Sequence, residues 1–460
     1  MRIEKDSMGT MAVPDTALYG ASTQRAVLNF PISGYRMPPG FIKSLGLLKY
    51  ACACANEELG KLGDKADILK KVCLELIDGQ HLEHFPIDVF QTGSCTSTNT
   101  NANEVIANRA SQLLGKPMGS KDPLHPNDHC NMGQSSNDTM PTTLHISVAC
   151  ALKNELTPSL QHLYEKLDKK AKEWDEIVKI GRTHLMDATP LTLGQEFSGY
   201  AAQVKKAIGR TERAIRTLSE LAIGGTAVGT GINCHRDFPK KVIRILSEKT
   251  GIAFSEAENH FEAQGARDDC IEVAGCLNAI AAGFTKIAND IRLLGSGPRS
   301  GLGELILPAT QPGSSIMPGK VNPVMSEMLI QSSIYTHGLM NMVVICGRDG
   351  HFELNVTIPL IAYALLESIK CLSNGARIFA DRCVAEIQPN IEKITEHMNR
   401  SLMLGTALNP YIGYDKASHV AKTAFEQNKT LKEVVLEEHL MDPSTLDKAL
   451  NPSSMTHPGE

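Results

Sequence analysis

Apolar residues recur along the middle of the chain at helical spacing. Leu144, Val148, Leu152, Leu156, Leu160, Leu163 and Leu167 follow one another at steps of four or three, and Trp174 and Ile177 continue the face. A second seam, Val273, Leu277, Ile280, Phe284, Ile287, Ile291 and Leu294, alternates four and three throughout. That spacing marks the seam of a bundle rather than a lone surface helix. The first pattern predicts a helix over 144–178, about 50 Å long at 1.5 Å per residue. A third helix is predicted from Leu191 through Phe197, Tyr200, Val204 and Ile208 towards Leu221, and a fourth between Val356 and Ile378. Helices this long need partners over their whole extent, so a shared bundle in a homo-oligomer is expected.

Three segments interrupt the helices. Residues 1–40 are punctuated by Gly and Pro and read as irregular, and 115–138 carry Pro117, Pro123 and Pro126. Residues 295–323 hold six glycines and five prolines, too many for an element interior. Shorter helical stretches resume near residue 392, and strand signals are weak everywhere. The chain therefore divides into an N-terminal region 1–134, a central helical bundle 135–391 and a small C-terminal helical region 392–460.

Composition narrows the function. The 460 residues are 42% hydrophobic with one Trp, and 46 basic against 51 acidic side chains leave a net charge of −5 without long like-charge runs. This balance argues against a nucleic-acid or membrane-surface binder. No stretch approaches the ~20 apolar residues of a bilayer span, and the start Met1-Arg2-Ile3-Glu4-Lys5-Asp6 lacks leader character. A cytoplasmic protein is expected. Twelve cysteines include no CxxC pair, so reduced thiols are the favoured reading. His81-x-x-His84 reads as a solvated helix edge, and His125-x-x-x-His129 is broken by Pro126. No metal or cofactor is expected.

Polar residues concentrate in four blocks far apart in sequence: Thr92-Gly93-Ser94-Cys95-Thr96-Ser97-Thr98-Asn99; His125-Pro126-Asn127-Asp128 with Gln134-Ser135-Ser136-Asn137-Asp138; Gly181-Arg182-Thr183-His184; and Gln311-Pro312 followed by Gly313 to Pro323. Singly, each has a plain explanation as a helix cap or surface loop. Together they offer hydroxyls, amides, a His, a Lys and backbone N–H groups at helix starts, the donors a small carboxylate needs. Gly224-Gly225-Thr226-Ala227-Val228-Gly229-Thr230-Gly231 follows no predicted strand, so it does not read as a nucleotide loop.

Gly313-Ser314-Ser315-Ile316-Met317-Pro318-Gly319-Lys320-Val321-Asn322-Pro323 resembles the signature loop of the class II fumarase/aspartase superfamily, metal-free lyases that release fumarate by anti elimination. The other blocks occur in that family's order, and the resemblance runs from Glu4-Lys5-Asp6-Ser7-Met8-Gly9 to Ala407–Lys416. It implies an all-α, three-domain fold whose central five-helix bundle assembles into a twenty-helix tetramer core, with active sites shared by three subunits. By the same resemblance Ser314 would be the general base, with His184 paired to it in the other half-reaction. Ser94, Thr96, Ser135, Ser136 and Asn137 would bind substrate, and Thr183, Lys320 and Asn322 would hold its carboxylates. His125, Asn127 and Asp128 match an accessory anion site, and Glu327 a supporting position.

Two activities compete within that family. Ser135-Ser136-Asn137-Asp138, Thr183-His184 before Asp187-Ala188-Thr189-Pro190, and Ser401-Leu402-Met403-Leu404 look like the branch that adds water to fumarate giving L-malate. Val324-Met325-Ser326-Glu327 and the tail Met455-Thr456-His457-Pro458-Gly459 lean towards ammonia release from L-aspartate. Hydration leads. A catalytically silent structural relative is the reading outside enzymology, and the presence of every acid, base and loop position speaks against it.

Overall fold

A computed structural model describes residues 1–458. The architecture is helical, as expected; its strands form four two-stranded pairs. The predicted long helix is present but starts earlier. It runs Ser136–Ala151, passes through a π-helical turn at Leu152–Leu156, and continues as Thr157–Glu173. All seven seam residues from Leu144 to Leu167 are fully buried. Trp174 lies beyond the helix yet stays in the core, edge-on to Phe197 at 4.8 Å. The other predicted helices are Leu193–Thr217, Asp268–Leu294 and Ile358–Phe379.

The 25-residue helix Val324–Arg348 was not foreseen. Its apolar residues lie all round, so no 3.6-residue stripe stands out. Ile334, Tyr335, Val344 and Ile345 remain exposed on it. This helix and Asp268–Leu294 are long and apolar enough to cross a bilayer, with 33% and 44% of the relevant windows buried within the chain. The expectation that no stretch approaches that length is corrected here, because Gly, Ser, Thr and Asn interrupt the apolar residues without lowering the average enough.

Residues 1–40 are also more regular than expected. Arg2–Asp6 pairs antiparallel with Gly9–Val13, and Ala21–Asn29 is a helix.

Compactness groups the chain into two discontinuous units. The first takes Met1–Pro158, Ile208–Ala281 and Ser332–Ser373; the second takes Ser159–Ala207, Ala282–Gln331 and Asn374 onward. In the first, helix Pro39–Glu58 packs on Ala66–Ile77, Phe238–Thr250 and Ser136–Ala151. In the second, the hairpin Val178–Thr183/Met186–Thr192 and the short helices after Ile391 enclose a core of Ile180, Met398, Leu408, Val420, Val434 and Leu446. All twelve cysteines are free thiols.

His145, on Ser136–Ala151, is buried with Nδ1 2.9 Å from the Glu220 carbonyl oxygen. Burial pushes its imidazole down to about 4. An unfolded His titrates near 6.5, so from there down to about 4 the unfolded chain binds the extra proton and stability falls with pH. His145→Gln should flatten the melting temperature across that window, removing up to roughly 3 kcal/mol of pH dependence. Parallel pH profiles for wild type and variant would contradict this account.

Candidate active site

In the first unit two helix starts carry the hydroxyl groups. Helix Thr96–Leu113 begins after Cys95, which adopts φ 61°. Gly93 is required just before it, because a Cβ there would sit 1.8 Å from the Val356 carbonyl oxygen. Ser135 caps Ser136–Ala151: its Oγ accepts the Asn137 N–H at 3.2 Å, and its own N–H donates to Asp138 Oδ1 at 2.9 Å. This is the reciprocal capping box that Ser135-x-x-Asp138 signals. Thr96 Oγ1 lies 2.7 Å from Ser94 Oγ and 2.6 Å from Ser136 Oγ, so one line of hydroxyls joins both helix starts. Helix N-termini bring free N–H groups and a positive dipole end, which favours an anion.

Asp138 is fully buried. Its Oδ2 accepts Gly224 N–H at 3.0 Å and Thr226 N–H at 2.9 Å, while Asn137 Nδ2 donates to the Ala227 carbonyl at 2.8 Å. The glycine-rich stretch is thus a brace for the serine turn. Burial pushes the Asp138 carboxyl up, and the backbone N–H donors oppose that shift.

The expected accessory group forms a closed turn. His125 Nδ1 accepts the Asn127 and Asp128 N–H groups, each at 3.2 Å, which leaves Nε2 as the ring's donor. The His81-x-x-His84 expectation is corrected. His81 has φ 65° at a partly buried turn and its Nε2 lies 2.7 Å from Glu75 Oε2, so this is no solvated helix edge. Ligand atoms of His81, Glu83 and His84 lie within 4.8 Å of one another. Both rings are already engaged, His84 Nδ1 by the Leu18 N–H at 3.5 Å.

In the second unit Thr183 and His184 stand exposed at the tip of the Val178–Thr183/Met186–Thr192 hairpin. His184 and Leu185 form its two-residue turn with φ 58° and 63°, the left-handed pair that suits a twisted hairpin but strains non-glycine residues. A register shift between Ile180 and Arg182 re-aims the tip. Thr183, Lys179, Arg182, Tyr200 and Lys286 line an open cavity of about 670 Å³.

The signature loop is closed upon itself. Gly313 N–H donates to the Lys320 carbonyl at 3.0 Å, and Asn322 Nδ2 donates to the Gly313 carbonyl at 2.6 Å. A Cβ at Gly313 would meet the Lys320 oxygen at 2.3 Å. Ser314 Oγ accepts N–H groups from Ile316 at 3.2 Å and Met317 at 3.0 Å. Lys320 is exposed, and Glu327 lies in the first turn of Val324–Arg348. No hydrogen bond joins Thr183 or His184 to Ser314, Lys320 or Asn322 among the described residues.

A lyase family model matches residues 9–338, and a fumarase C C-terminus model matches 404–457. Class II fumarate hydratase from Methylorubrum extorquens is 50% identical over 458 residues, covering 99% of this chain and 97% of that protein. The chain belongs to the class II fumarate hydratase family. Human mitochondrial fumarate hydratase is 49% identical over 99% of this chain and 90% of its own length. The crystal structure of recombinant class II fumarase from Schistosoma mansoni superposes with a TM-score of 0.96 at 40% identity, covering all of both chains.

Against this fumarate hydratase background, sequence reasoning passed over Glu304, although it is the sole carboxylate residue in the Gly/Pro-rich segment 295–323. Glu304 is fully buried, with Oε1 2.6 Å from Arg182 Nη2 and 3.0 Å from His397 Nδ1, and Oε2 3.2 Å from Lys179 Nζ without hydrogen-bond alignment. Burial would raise its carboxyl, but Arg182, Lys179 and His397 outweigh burial and hold it below the usual range. It therefore ties strand Val178–Thr183 down at Lys179 near its start and at Arg182 beside the tip that carries Thr183 and His184. Breaking one member of a buried ionic cluster leaves its partners uncompensated, so Glu304→Gln should lower unfolding stability by about 3 kcal/mol. Denaturant titration checks this, and a wild-type midpoint would remove Glu304 from its anchoring role.

Proposed function

We propose that this chain adds water reversibly and anti across the double bond of fumarate to give L-malate. The observation that carries the chemistry is Ser314 Oγ accepting two backbone N–H groups on the closed loop that also bears Lys320. N–H donors aimed at an oxygen stabilise its anionic form, and a cation on the same loop adds to that field. A serine, otherwise a poor base, becomes a usable one.

In the dehydration direction Ser314 takes the proton from the malate carbon next to one carboxylate and adjacent to the hydroxyl-bearing carbon. The C–H electrons pass first onto that carboxylate, which carries a second negative charge as an aci-carboxylate. Lys320, Asn322 and Thr183 are assigned to hold it, by charge and by hydrogen bonds. The double bond then forms as the C–O bond breaks, and the departing hydroxide leaves as water with a proton supplied through His184. Ser94, Thr96, Ser135, Ser136 and Asn137 bind the substrate at the two helix starts, and His125, Asn127 and Asp128 form an accessory anion site. Glu327, at the start of the helix after the loop, supports the assembly.

The division into 1–134, 135–391 and 392–460 and a homotetrameric bundle with shared sites belong to this reading. Exposed Ile334, Tyr335, Val344 and Ile345 on Val324–Arg348 support it, since an apolar helix face of this kind calls for a partner.

One sample tests both parts. Light scattering should give about four chains per particle, and fumarate absorbance should rise with L-malate but not with L-aspartate. Ser314→Ala should keep the assembly and lose activity by at least about a hundredfold. A rise only with L-aspartate would make the chain an ammonia-lyase, and near-normal Ser314→Ala turnover would remove the base.

A further inference from the structure

Helix Pro39–Glu58 turns an apolar face to the core, with Phe41, Leu45, Leu48 and Cys52 buried. Lys49 is buried with them, at 1% exposure. Its Nζ donates to Asn131 Oδ1 at 3.0 Å and Gln134 Oε1 at 2.9 Å. No carboxylate lies within ion-pair distance of it among the described residues. Burial pulls the ammonium down to about 8, with Asp138 among the groups that resist this.

A buried charge without a counter-charge is an expensive way to fill a core, where an apolar residue of similar volume is often neutral or stabilising. The reason for Lys49 lies in what its acceptors hold. Asn131 Nδ2 donates to the Gln134 carbonyl at 3.1 Å, closing the turn whose next residue is the cap Ser135. Gln134 Nε2 reaches back to the Cys130 and Met132 carbonyls at 3.4 and 3.3 Å. Asn131 Oδ1 also accepts Asn99 Nδ2 at 3.1 Å and Asn103 Nδ2 at 3.3 Å, both from helix Thr96–Leu113. Those two amides leave their own buried oxygens without partners in order to face Asn131. One cation thus gathers the side chains that fix both helix starts of the hydroxyl line, while Asp138 grips the serine turn from its other side.

We propose that Lys49 is a positioning residue for the dicarboxylate site, acting through Asn131 and Gln134 to hold Ser135, Ser136 and Asn137 against Thr96. It does not touch substrate. The proposal rests on the reading of those residues as substrate-binding, and its effect belongs in binding rather than in the proton transfer at Ser314.

The test compares the full-length wild type, Lys49→Met and Gln134→Leu by steady-state kinetics on L-malate and by backbone hydrogen exchange. Lys49→Met should raise KM about tenfold while kcat stays within about threefold. Exchange should quicken in residues 131–138 and at the start of helix Thr96–Leu113, with the rest of the chain unchanged. Gln134→Leu, which keeps the lysine but removes an acceptor, should move the same quantities in the same direction and serves if Lys49→Met fails to fold. Wild-type KM and wild-type exchange would overturn the proposal, as would faster exchange spread over the whole molecule. A wild type that leaves L-malate untouched would instead overturn the hydratase reading, and the exchange comparison would still decide the role of Lys49.

Discussion

The serine turn depends on one buried carboxylate. Asp138 has no exposure and accepts N–H groups from Ser135, Gly224 and Thr226. Three backbone donors offset part of its desolvation. They also fix where Ser135 starts its helix and where the glycine-rich segment runs. With that joint in place, Asn137 reaches Ala227, Ser136 reaches Thr96, and the hydroxyls of two helices form a single line. Without it, the first turn of the helix would lose the reciprocal half of its capping box and its brace.

The second unit solves a similar problem with different chemistry. Glu304 is as buried as Asp138, yet its partners are the cations Lys179 and Arg182 together with His397. Neutral backbone donors hold the Asp138 carboxylate directly, and no side-chain cation pairs with it among the described residues. A cationic cluster suits the hairpin strand, where charge neutralisation ties three segments distant in sequence: the strand Val178–Thr183, the segment at Glu304 and the helix Ile391–Arg400. In each unit a fully buried carboxylate fixes an element that carries groups assigned to the site: the start of helix Ser136–Ala151 in the first and the hairpin tip at Thr183 and His184 in the second.

Much of this was legible in the sequence. Regular four-three seams located two long helices, since burial along one stripe is what such spacing encodes, and looser apolar spacing located two more. Val324–Arg348 escaped because a helix apolar on every side has no stripe. The hairpin that carries His184 escaped because its turn uses His184-Leu185 rather than Asn-Gly or Asp-Gly, so the usual hairpin signal is absent. The polar blocks were visible from composition, and Ser135–Asp138 as a cap for the long helix. Lys49 and Glu304 were not, because a lone Lys in a helix or a lone Glu in a loop gives no sign of burial until the tertiary neighbours are known.

The most direct test of the central claim is calorimetric titration of the unreactive four-carbon dicarboxylate succinate into wild type and Asp138→Asn. An asparagine keeps the volume but loses the charge and one acceptor for the N–H groups of Ser135, Gly224 and Thr226. The account predicts succinate binding at least about tenfold weaker in the folded variant. Equal affinity in the two proteins would contradict it, showing that the serine turn does not depend on the Asp138 carboxylate.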